Sequence, residues 1–270
     1  MDFDKALNQI ISEMPQTGLA ETGKVRLMNR TDCKFLANKE LLLKFLELTK
    51  DEYIVIVAAH SPVSVYSTIY YDTADHHFYL LHHDNMRPRT KVRVRTYVDT
   101  GITFLEVKNK DNHGKTRKSR IEVAAPAVAD EAEEEFLERK ASVAAADLHP
   151  CLRNRFHRLT LVNKGLTERL TIDFDVSFEN IETGIARKLD NLVIIELKRS
   201  GKSESPATGA LLKLRIKPQG FSKYCIGTLL TNPMAKYNRF KKKLTVMGKL
   251  GQPAARPLAA EAAPTNQHVK

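Results

Sequence analysis

The sequence predicts an α+β domain built around an antiparallel β-barrel with a basic interior. Eight or nine stretches alternate apolar and polar residues as antiparallel strands do, and amphipathic helices lie between and after them. Several strands carry mainly cations on their polar side. In an ordinary barrel these cations would face outward and Val, Leu and Ile would fill the interior. We favour the inverted arrangement, because the apolar stripes of the helices need an apolar sheet face to cover.

The strongest evidence for the basic lining is the stretch from Arg87 to Arg120. It contains eleven Lys and Arg residues against three acidic residues, and turn signals divide it into three strands. In the first strand Lys91, Arg93 and Arg95 share one face. Like charges on neighbouring strands repel each other, whereas a solvated polar face usually mixes charges of both signs. The pattern therefore indicates a bound polyanion, although a solvent-exposed sheet face is the ordinary alternative.

Composition supports an anionic partner. The 270 residues carry a formal net charge of +11, and the pI is near 9.5, which is typical of proteins that bind nucleic acid, nucleotides, phosphate polymers or acidic lipid. The three cysteines are widely spaced and indicate free thiols in a reducing compartment. No stretch approaches the length of a membrane span, and no signal peptide precedes the domain. The sequence thus predicts a cytoplasmic protein.

Three segments are predicted along the chain: an N-terminal helical extension (1–22), a main domain (23–246) and a disordered tail rich in Ala and Pro (247–270). The main domain begins with an extended segment over 24–36 and a helix that Asn38 caps, ending near Thr49. Strands over 53–59 and 64–72 follow, and then a short helix over 74–85. Four histidines lie on that helix; we favour packing roles for them over a metal site, because adjacent histidines diverge by about 100°.

The second half of the domain continues the same alternation. An acidic helix lies between 124 and 148, and its charge is interpreted either as a solvated face or as a balance to the basic sheet. A hairpin over 153–178 and a strand over 189–201 follow, then helices over 207–216 and 222–230. The basic segment 235–244 is interpreted as a solvated helix end. Docking of an anionic product or of a membrane-protein partner is the alternative interpretation.

Eight of these motifs occur together in one order: NRTDCKFL, YSTIYYDTADHHFYLLHHDN, KVRVRTY, FLEVKNK, HRLTLV, RLTIDFD, VIIELKRSG and FSKYCIGTLLTNPMAKYNRFK. Through them the chain resembles the VTC domain from about residue 24 to 244. The VTC domain is the polyphosphate polymerase branch of the triphosphate tunnel metalloenzyme (CYTH-like) superfamily, and the likeness is to its stand-alone bacterial form. The resemblance implies an eight-stranded antiparallel tunnel that binds triphosphate and a divalent metal. It also implies transfer of the γ-phosphate of ATP to a growing polyphosphate chain.

The resemblance further implies roles for individual residues. Lys34 is similar to the family's first-strand lysine, and Arg93 and Arg95 are similar to its R-x-R phosphate clamp. The other positions that match cations of the family, or that extend its lining, are Lys108, Lys118, Arg120, Arg158, Arg169, Lys198 and Lys223. We expect the arginines to orient phosphates through bidentate contacts and the lysines to act as point charges.

Glu196 matches the metal-associated glutamate of the family, and Glu106 is the second candidate ligand for Mn²⁺ or Mg²⁺, which prefer carboxylate oxygen. The E-x-E-x-K signature of the hydrolytic and cyclase branches is replaced by Arg30-x-Asp32-x-Lys34. This departure disfavours those branches and a second metal. Glu196 with Lys198 is alternatively an exposed strand pair of little energetic value. Asp173 is predicted to orient Arg169 rather than to bind metal.

The expected ligands are therefore ATP and inorganic polyphosphate, and the expected activity is polyphosphate polymerisation. Hydrolysis of tripolyphosphate or of a nucleoside triphosphate is the enzymatic alternative, and a non-catalytic polyphosphate sensor is the alternative from another class. Nucleic acid is not an expected partner, because the chain contains no Trp and the basic strands lack interleaved aromatic residues on which bases stack. A membrane-protein partner stays compatible with the sequence, although no span is predicted.

Overall fold

The computed structural model describes residues 2–19, 30–125, 128, 130–141, 143–200 and 205–251. The predicted positions 24–29 and the tail from 252 onward lie outside this part of the chain. The strands are β1 Gln16–Gly18, β2 Arg30–Asn38, β3 Tyr53–Val57, β4 Val63–Asp72, β5 Arg89–Tyr97, β6 Thr103–Lys110, β7 Thr116–Val123, β8 His149–Asn163, β9 Glu168–Asn180, β10 Ala186–Leu189 and β11 Leu192–Ser200. The helices are α1 Phe3–Glu13, α2 Lys39–Thr49, α3 His77–His83, α4 Glu131–Ala141, α5 Pro206–Lys213, α6 Lys223–Thr231 and α7 Lys241–Lys249.

Eight strands follow each other across one sheet in the order β2-β11-β9-β8-β4-β5-β6-β7. Every neighbouring pair along this path is antiparallel, as predicted. Within the described residues β2 and β7 do not hydrogen-bond to each other, yet both contribute side chains to one cavity. The sheet is therefore curled around that cavity with an unpaired seam. Short strands β1, β3 and β10 lie off this path, and β1 pairs with β3 in parallel.

The convex face of the sheet is apolar and lies under helices. Val92 and Val94 of β5 are buried with Leu105 of β6 against Phe136 and Leu137 of α4. Helices α1, α2 and α5 cover the corresponding apolar residues of β8, β9 and β11. The favoured inverted arrangement is thus the observed one. The acidic helix α4 packs on this outer side, so its charge does not contact the basic lining.

Helix α6 packs differently from these outer helices. Its residues from Tyr224 to Thr231 are buried all round, and its N-cap Ser222 accepts a hydrogen bond from the backbone N–H of Cys225. The helix packs with Leu192 and Ile194, which share the concave face of β11 with Glu196. Helix α6 therefore fills part of the interior with apolar side chains, and the cations occupy the rest.

The approach of α6 to the sheet depends on Gly227. A Cβ atom at this position would lie 2.5 Å from Cδ1 of Phe178 and 2.6 Å from Cδ2 of Leu152. Farther along the chain, α7 continues to Lys249 and buries Met247 in the same apolar cluster. Order therefore extends past 247, where the disordered tail was predicted to begin, because Met247 supplies a core contact.

Candidate functional site

The concave face of the sheet encloses a cavity of about 700 Å³, to which β2, β5–β9, β11 and the start of α6 all contribute. Of the residues predicted from the sequence, those that line it are Lys34, Arg93, Arg95, Glu106, Lys108, Lys118, Arg158, Glu196, Lys198 and Lys223. Arg120 and Arg169 are not among the lining residues. Lys91, Tyr70, Thr116, Ser222 and the two aspartates Asp32 and Asp173 are the other polar residues of the described lining. The structure thus gathers cations from six strands and one helix around one space.

Glu106 of β6 organises one side of the cavity. Its side chain is 1% exposed, and its Oε2 accepts hydrogen bonds from Nε and a terminal nitrogen of Arg93 at 2.7 and 2.6 Å. Lys118 of β7 contacts the other carboxylate oxygen. Burial alone would raise the pKa of Glu106, but Arg93, Arg95 and Lys118 hold it at about 2. The carboxylate therefore stays charged and fixes the Arg93 guanidinium in place.

Asp173 of β9 has the same function on the opposite side. Nε of Arg158 donates to its Oδ1 at 2.6 Å, a terminal nitrogen of Arg158 donates to Oδ2 at 2.8 Å, and Lys223 also contacts Oδ2. Burial would raise the pKa of Asp173, but Arg158 and Lys223 hold it at about 2. The expectation that Asp173 orients Arg169 is wrong. Arg169 and Asp173 are four positions apart on β9, which places them about 13 Å from each other. Arg158, in contrast, lies directly opposite Asp173 on β8.

A third carboxylate, Glu196 of β11, lies between two lysines. Its Oε1 accepts from Nζ of Lys34 at 2.8 Å and from Nζ of Lys198 at 2.6 Å. Lys34 faces Glu196 directly across the β2–β11 ladder. Burial would raise the pKa of Glu196, but the two ammonium groups lower it well below its usual range. The side chain is 19% exposed toward the cavity, so Glu196 is more accessible than Glu106.

Cations outnumber carboxylates in this lining. Nine cationic side chains against four anionic ones leave a formal surplus of five positive charges. In the part of the chain that the structure describes, Lys91, Arg95 and Lys108 form no ion pair with a carboxylate. Burial lowers the pKa of Lys91 to about 8 and that of Arg95 to about 10, and neighbouring cationic side chains contribute to both shifts. Lys91, which the sequence analysis placed in the basic row without a role, donates to Oγ of Ser222 at 2.8 Å.

Aromatic rings lie at the end of the cavity near the close of β5. Tyr66 stacks on Phe156 with ring centroids 5.2 Å apart, and Tyr97 contacts Tyr66 at 4.9 Å. The guanidinium groups of Arg158 and Arg95 lie 4.9 and 5.5 Å from the Tyr66 centroid. The aromatic residues therefore cluster at one end of the basic row, where Tyr97 ends β5 on the face that Arg95 occupies, and are not interleaved with its cations.

The two predicted cations outside the lining have distinct positions. Arg120 lies opposite Glu106 across the β6–β7 ladder, but its guanidinium stacks 4.4 Å from the centroid of Phe104 at the aromatic end. Arg169 lies opposite Lys198, which lines the cavity, across the β9–β11 ladder. Both therefore share the concave face without reaching the enclosed space.

The residues present fit one divalent cation that is shared with a phosphate ligand. No group of three His, Cys, Asp or Glu side chains within the described ranges could hold a metal by itself. Mg²⁺, however, commonly binds through one or two carboxylates together with phosphate oxygens of the substrate. Both lysine contacts of Glu196 are made to Oε1, so no lysine contact among the described residues occupies Oε2. Glu106, with both oxygens paired and 1% exposure, fits less well.

A curled antiparallel sheet around a surplus of buried cations defines a protein that binds polyanions in a tunnel. A family model described as the VTC domain matches residues 29–232. The chain therefore belongs to the VTC domain family, which confirms the predicted membership and associates the cavity with triphosphate and polyphosphate ligands.

Comparison with other proteins adds little to this assignment. A candidate adenylate cyclase from Bacillus halodurans is 16% identical with a TM-score of 0.43, and the match covers 79% of this chain and 100% of that one. A candidate adenylyl cyclase from Hippeastrum, described as having a dominant triphosphatase activity, is 12% identical with a TM-score of 0.41, and 74% and 94% are covered. These TM-scores are too low to carry an argument. No curated protein matches the chain, and no helix among the described residues is long and apolar enough to cross a membrane.

Proposed function

We propose that this protein is a polyphosphate polymerase that transfers the γ-phosphate of ATP to a growing polyphosphate chain inside the basic cavity. The observation that carries the proposal is the surplus of buried cations without carboxylate partners, chiefly Lys91 and Arg95. A buried charge is costly to leave unpaired. A string of phosphates is the ligand that would neutralise cations converging from many strands on an elongated space.

The reaction breaks the bond between the γ-phosphorus and the oxygen that bridges it to the β-phosphate. A terminal oxygen of the polyphosphate chain forms the new bond to that phosphorus, and ADP leaves with the bridging oxygen. In-line phosphoryl transfer needs little covalent help from protein but much positioning and charge neutralisation. Arg93 and Arg158 suit the positioning task, because Glu106 and Asp173 hold their guanidinium forks in fixed orientations.

The lysines neutralise charge along the path of the phosphates. Lys91 and Lys108 have no competing carboxylate among the described residues, whereas Lys223 is held at the start of α6 by Asp173. Glu196 would hold a bound Mn²⁺ or Mg²⁺, which would supply further neutralisation of phosphate oxygens. The aromatic end of the cavity supports a nucleotide as donor, since bases stack on exposed aromatic faces and Tyr97 and Phe104 are partly exposed there.

The test is incubation of the protein with ATP and Mn²⁺ or Mg²⁺, followed by separation of phosphate chains on a gel. Long chains are the expected product, and Arg93→Ala should reduce their formation by about 10²-fold or more. Arg153→Ala is the matched control, because Arg153 pairs with Glu179 on an exposed surface, and it should keep wild-type activity. Release of orthophosphate without chains would instead show a hydrolase. Tight binding of polyphosphate without turnover of ATP would show a sensor.

A further inference from the structure

A second basic cavity adjoins the first. It has a volume of about 900 Å³ and shares Asp32, Lys34 and Phe221 with the first cavity, so the two cavities adjoin at these residues. Its other walls come from α3, from the start of β5 and the end of β6, and from residues 238–243 at the beginning of α7. The second cavity is therefore assembled from parts of the chain that are distant in sequence.

Cations dominate this second cavity. Arg89 of β5 lies directly opposite Lys110 of β6, and residues 239 and 241–243 add four more positive side chains. Asp32 is the one acidic residue among the described residues of its lining. In the described part of the chain, none of Arg89, Lys110 and Lys242 forms an ion pair with a carboxylate. Burial lowers the pKa of Lys110 and of Arg89, and the nearby guanidinium of Arg87 lowers both further.

The two cavities share one row of cations. Arg89, Lys91, Arg93 and Arg95 alternate along β5 and therefore face the same side of the sheet. Arg89 lines the second cavity, whereas the next three line the tunnel. At about 3.3 Å per residue the row spans about 20 Å, which is longer than a triphosphate group. A ligand that engages the whole row must be a longer phosphate chain.

The chemistry at the two ends of this row differs. The end near Tyr97 is aromatic, whereas the two phenylalanine rings of the second cavity are buried: Phe221 is 8% exposed, and Phe240 is 3% exposed and lies under the ammonium of Lys243 at 5.1 Å. Nucleotides and single-stranded nucleic acids bind through both phosphates and stacked bases. Among the rings of this described lining only His82 is partly exposed, so the cationic surface favours a ligand made mainly of phosphate.

We propose that the second cavity is a groove for the polyphosphate chain beyond the site of transfer, formed by Arg89, Lys110, Arg239, Lys241, Lys242 and Lys243. The inference rests on the proposed function, because it takes the tunnel as the place where the chain is extended. It also gives the reaction a direction: the nucleotide lies toward the aromatic end, and the polymer extends toward the groove.

The test compares binding of long-chain polyphosphate and of tripolyphosphate to the full chain. The groove variant combines Lys241→Ala, Lys242→Ala and Lys243→Ala, all at the start of an α-helix, where alanine is well tolerated. The matched control removes the same charge from exposed sites elsewhere by replacing Lys164, Lys213 and Lys217 with alanine. Thermal unfolding of both variants checks that the fold is kept.

We expect wild-type protein to bind the long chain more tightly than tripolyphosphate. The groove variant should lose on the order of 10-fold or more of its long-chain affinity, and the slope of log K against log[salt] should fall by about two to three. Its tripolyphosphate affinity should match that of the control variant. Equal long-chain affinities of the groove and control variants would overturn the inference, and so would an equal loss for both ligands or a wild-type protein without preference for the longer chain.

The outcome is separable from that of the proposed function. Polymer formation from ATP by the wild-type protein tests the function alone. If no polymer forms but the groove variant still loses long-chain affinity selectively, the polymerase proposal fails and the groove stands as a binding site. If polymer forms and the groove variant binds the long chain as the control does, the groove inference fails and the polymerase stands.

Discussion

Replacing Asp173 by asparagine is the sharpest test of how the cavity is held together. The substitution keeps the shape of the side chain but removes the charge that Arg158 and Lys223 share, and the Asp173 side chain is only 5% exposed. Breaking one partner of a buried ion pair costs about 3–5 kcal/mol. Lys223, whose pKa burial lowers to about 8 even beside Asp173, relieves part of that cost by losing its proton, so we expect the lower end of this range.

The assay is thermal and denaturant unfolding of the variant with and without tripolyphosphate. For a domain of this size about 1 kcal/mol corresponds to roughly 2–4 °C in Tm, so Asp173→Asn should lower the Tm by roughly 6–12 °C. Tripolyphosphate should raise the Tm of the variant more than that of the wild type, because the ligand replaces the missing negative charge.

Asp175→Asn is the matched control for this experiment. Asp175 lies two residues farther along β9 and pairs with Lys39 and His157, but its side chain is 29% exposed. Exposed ion pairs contribute about 0–1 kcal/mol, so this variant should change the Tm by no more than a few degrees. Equal losses of stability in the two variants would refute the argument that the buried carboxylate holds the cations in place.

Three further predictions follow from the same geometry. Glu196→Gln should raise the Mn²⁺ concentration needed for half-maximal polymer formation and lower activity on the order of 10²-fold, as measured by a metal titration. Because burial lowers the pKa of Lys91 and Lys223 to about 8, both are partly neutral above pH 8. The affinity of the cavity for phosphate should therefore fall as the pH rises through 8. Near pH 8.5 the two lysines should take up protons when phosphate binds, and calorimetry in two buffers of different ionisation enthalpy would detect this uptake. Gly227→Ala places a Cβ 2.5 Å from Phe178 and should cost about 1–3 kcal/mol of stability in denaturant unfolding.

Each of these predictions has a contrary result. Loss of the Glu196 charge makes the cavity more positive, so Glu196→Gln should not weaken the binding of tripolyphosphate in the absence of metal. Weaker metal-free binding would show that the glutamate holds the cations in place rather than binding a metal. Identical binding heats in the two buffers would show that neither lysine titrates near pH 8. The control for Gly227→Ala is Gly209→Ala in α5, where an added Cβ meets nothing within 4 Å. This change should be neutral or stabilise the protein by up to about 1 kcal/mol. Equal effects of the two glycine substitutions on stability would contradict the close packing of α6.

The sequence was sufficient to identify the face on which most site residues lie. In β5 the alternation of Lys91, Arg93 and Arg95 with valines fixes two faces, and the excess of one charge sign indicates which face surrounds a ligand. The resemblance to the VTC domain family added the eight-stranded antiparallel tunnel, whereas the order of the strands in the sheet came from the structure. The partner of Asp173 was not predictable in this way. Alternation assigns a residue to a face but not to its neighbour across the ladder, and here an irregularity between Arg155 and His157 shifts the β8–β9 register.

Helix α6 shows a second limit of the sequence. Only Lys223 is charged between residues 223 and 231, a pattern that indicates burial on all sides and not an outer helix with one apolar stripe. That signal was available, whereas the position of the helix inside the sheet depends on contacts such as that between Gly227 and Phe178. The sequence likewise indicates only part of the groove. Arg89 continues the cationic row of β5, but only the fold brings Lys243 close to Arg89.

Helix α6 contributes both to the basic cavity and to the apolar interior of the sheet. Lys223, the first residue of the helix, contacts Asp173 in the cavity. The following turns of the helix pack against apolar residues of the sheet. The position of the Lys223 ammonium group in the cavity therefore depends on the volumes of the apolar side chains that pack around the rest of the helix. Exchanging one aliphatic residue of α6 for another should therefore shift Lys223 within the cavity, although the lining residues themselves are unchanged.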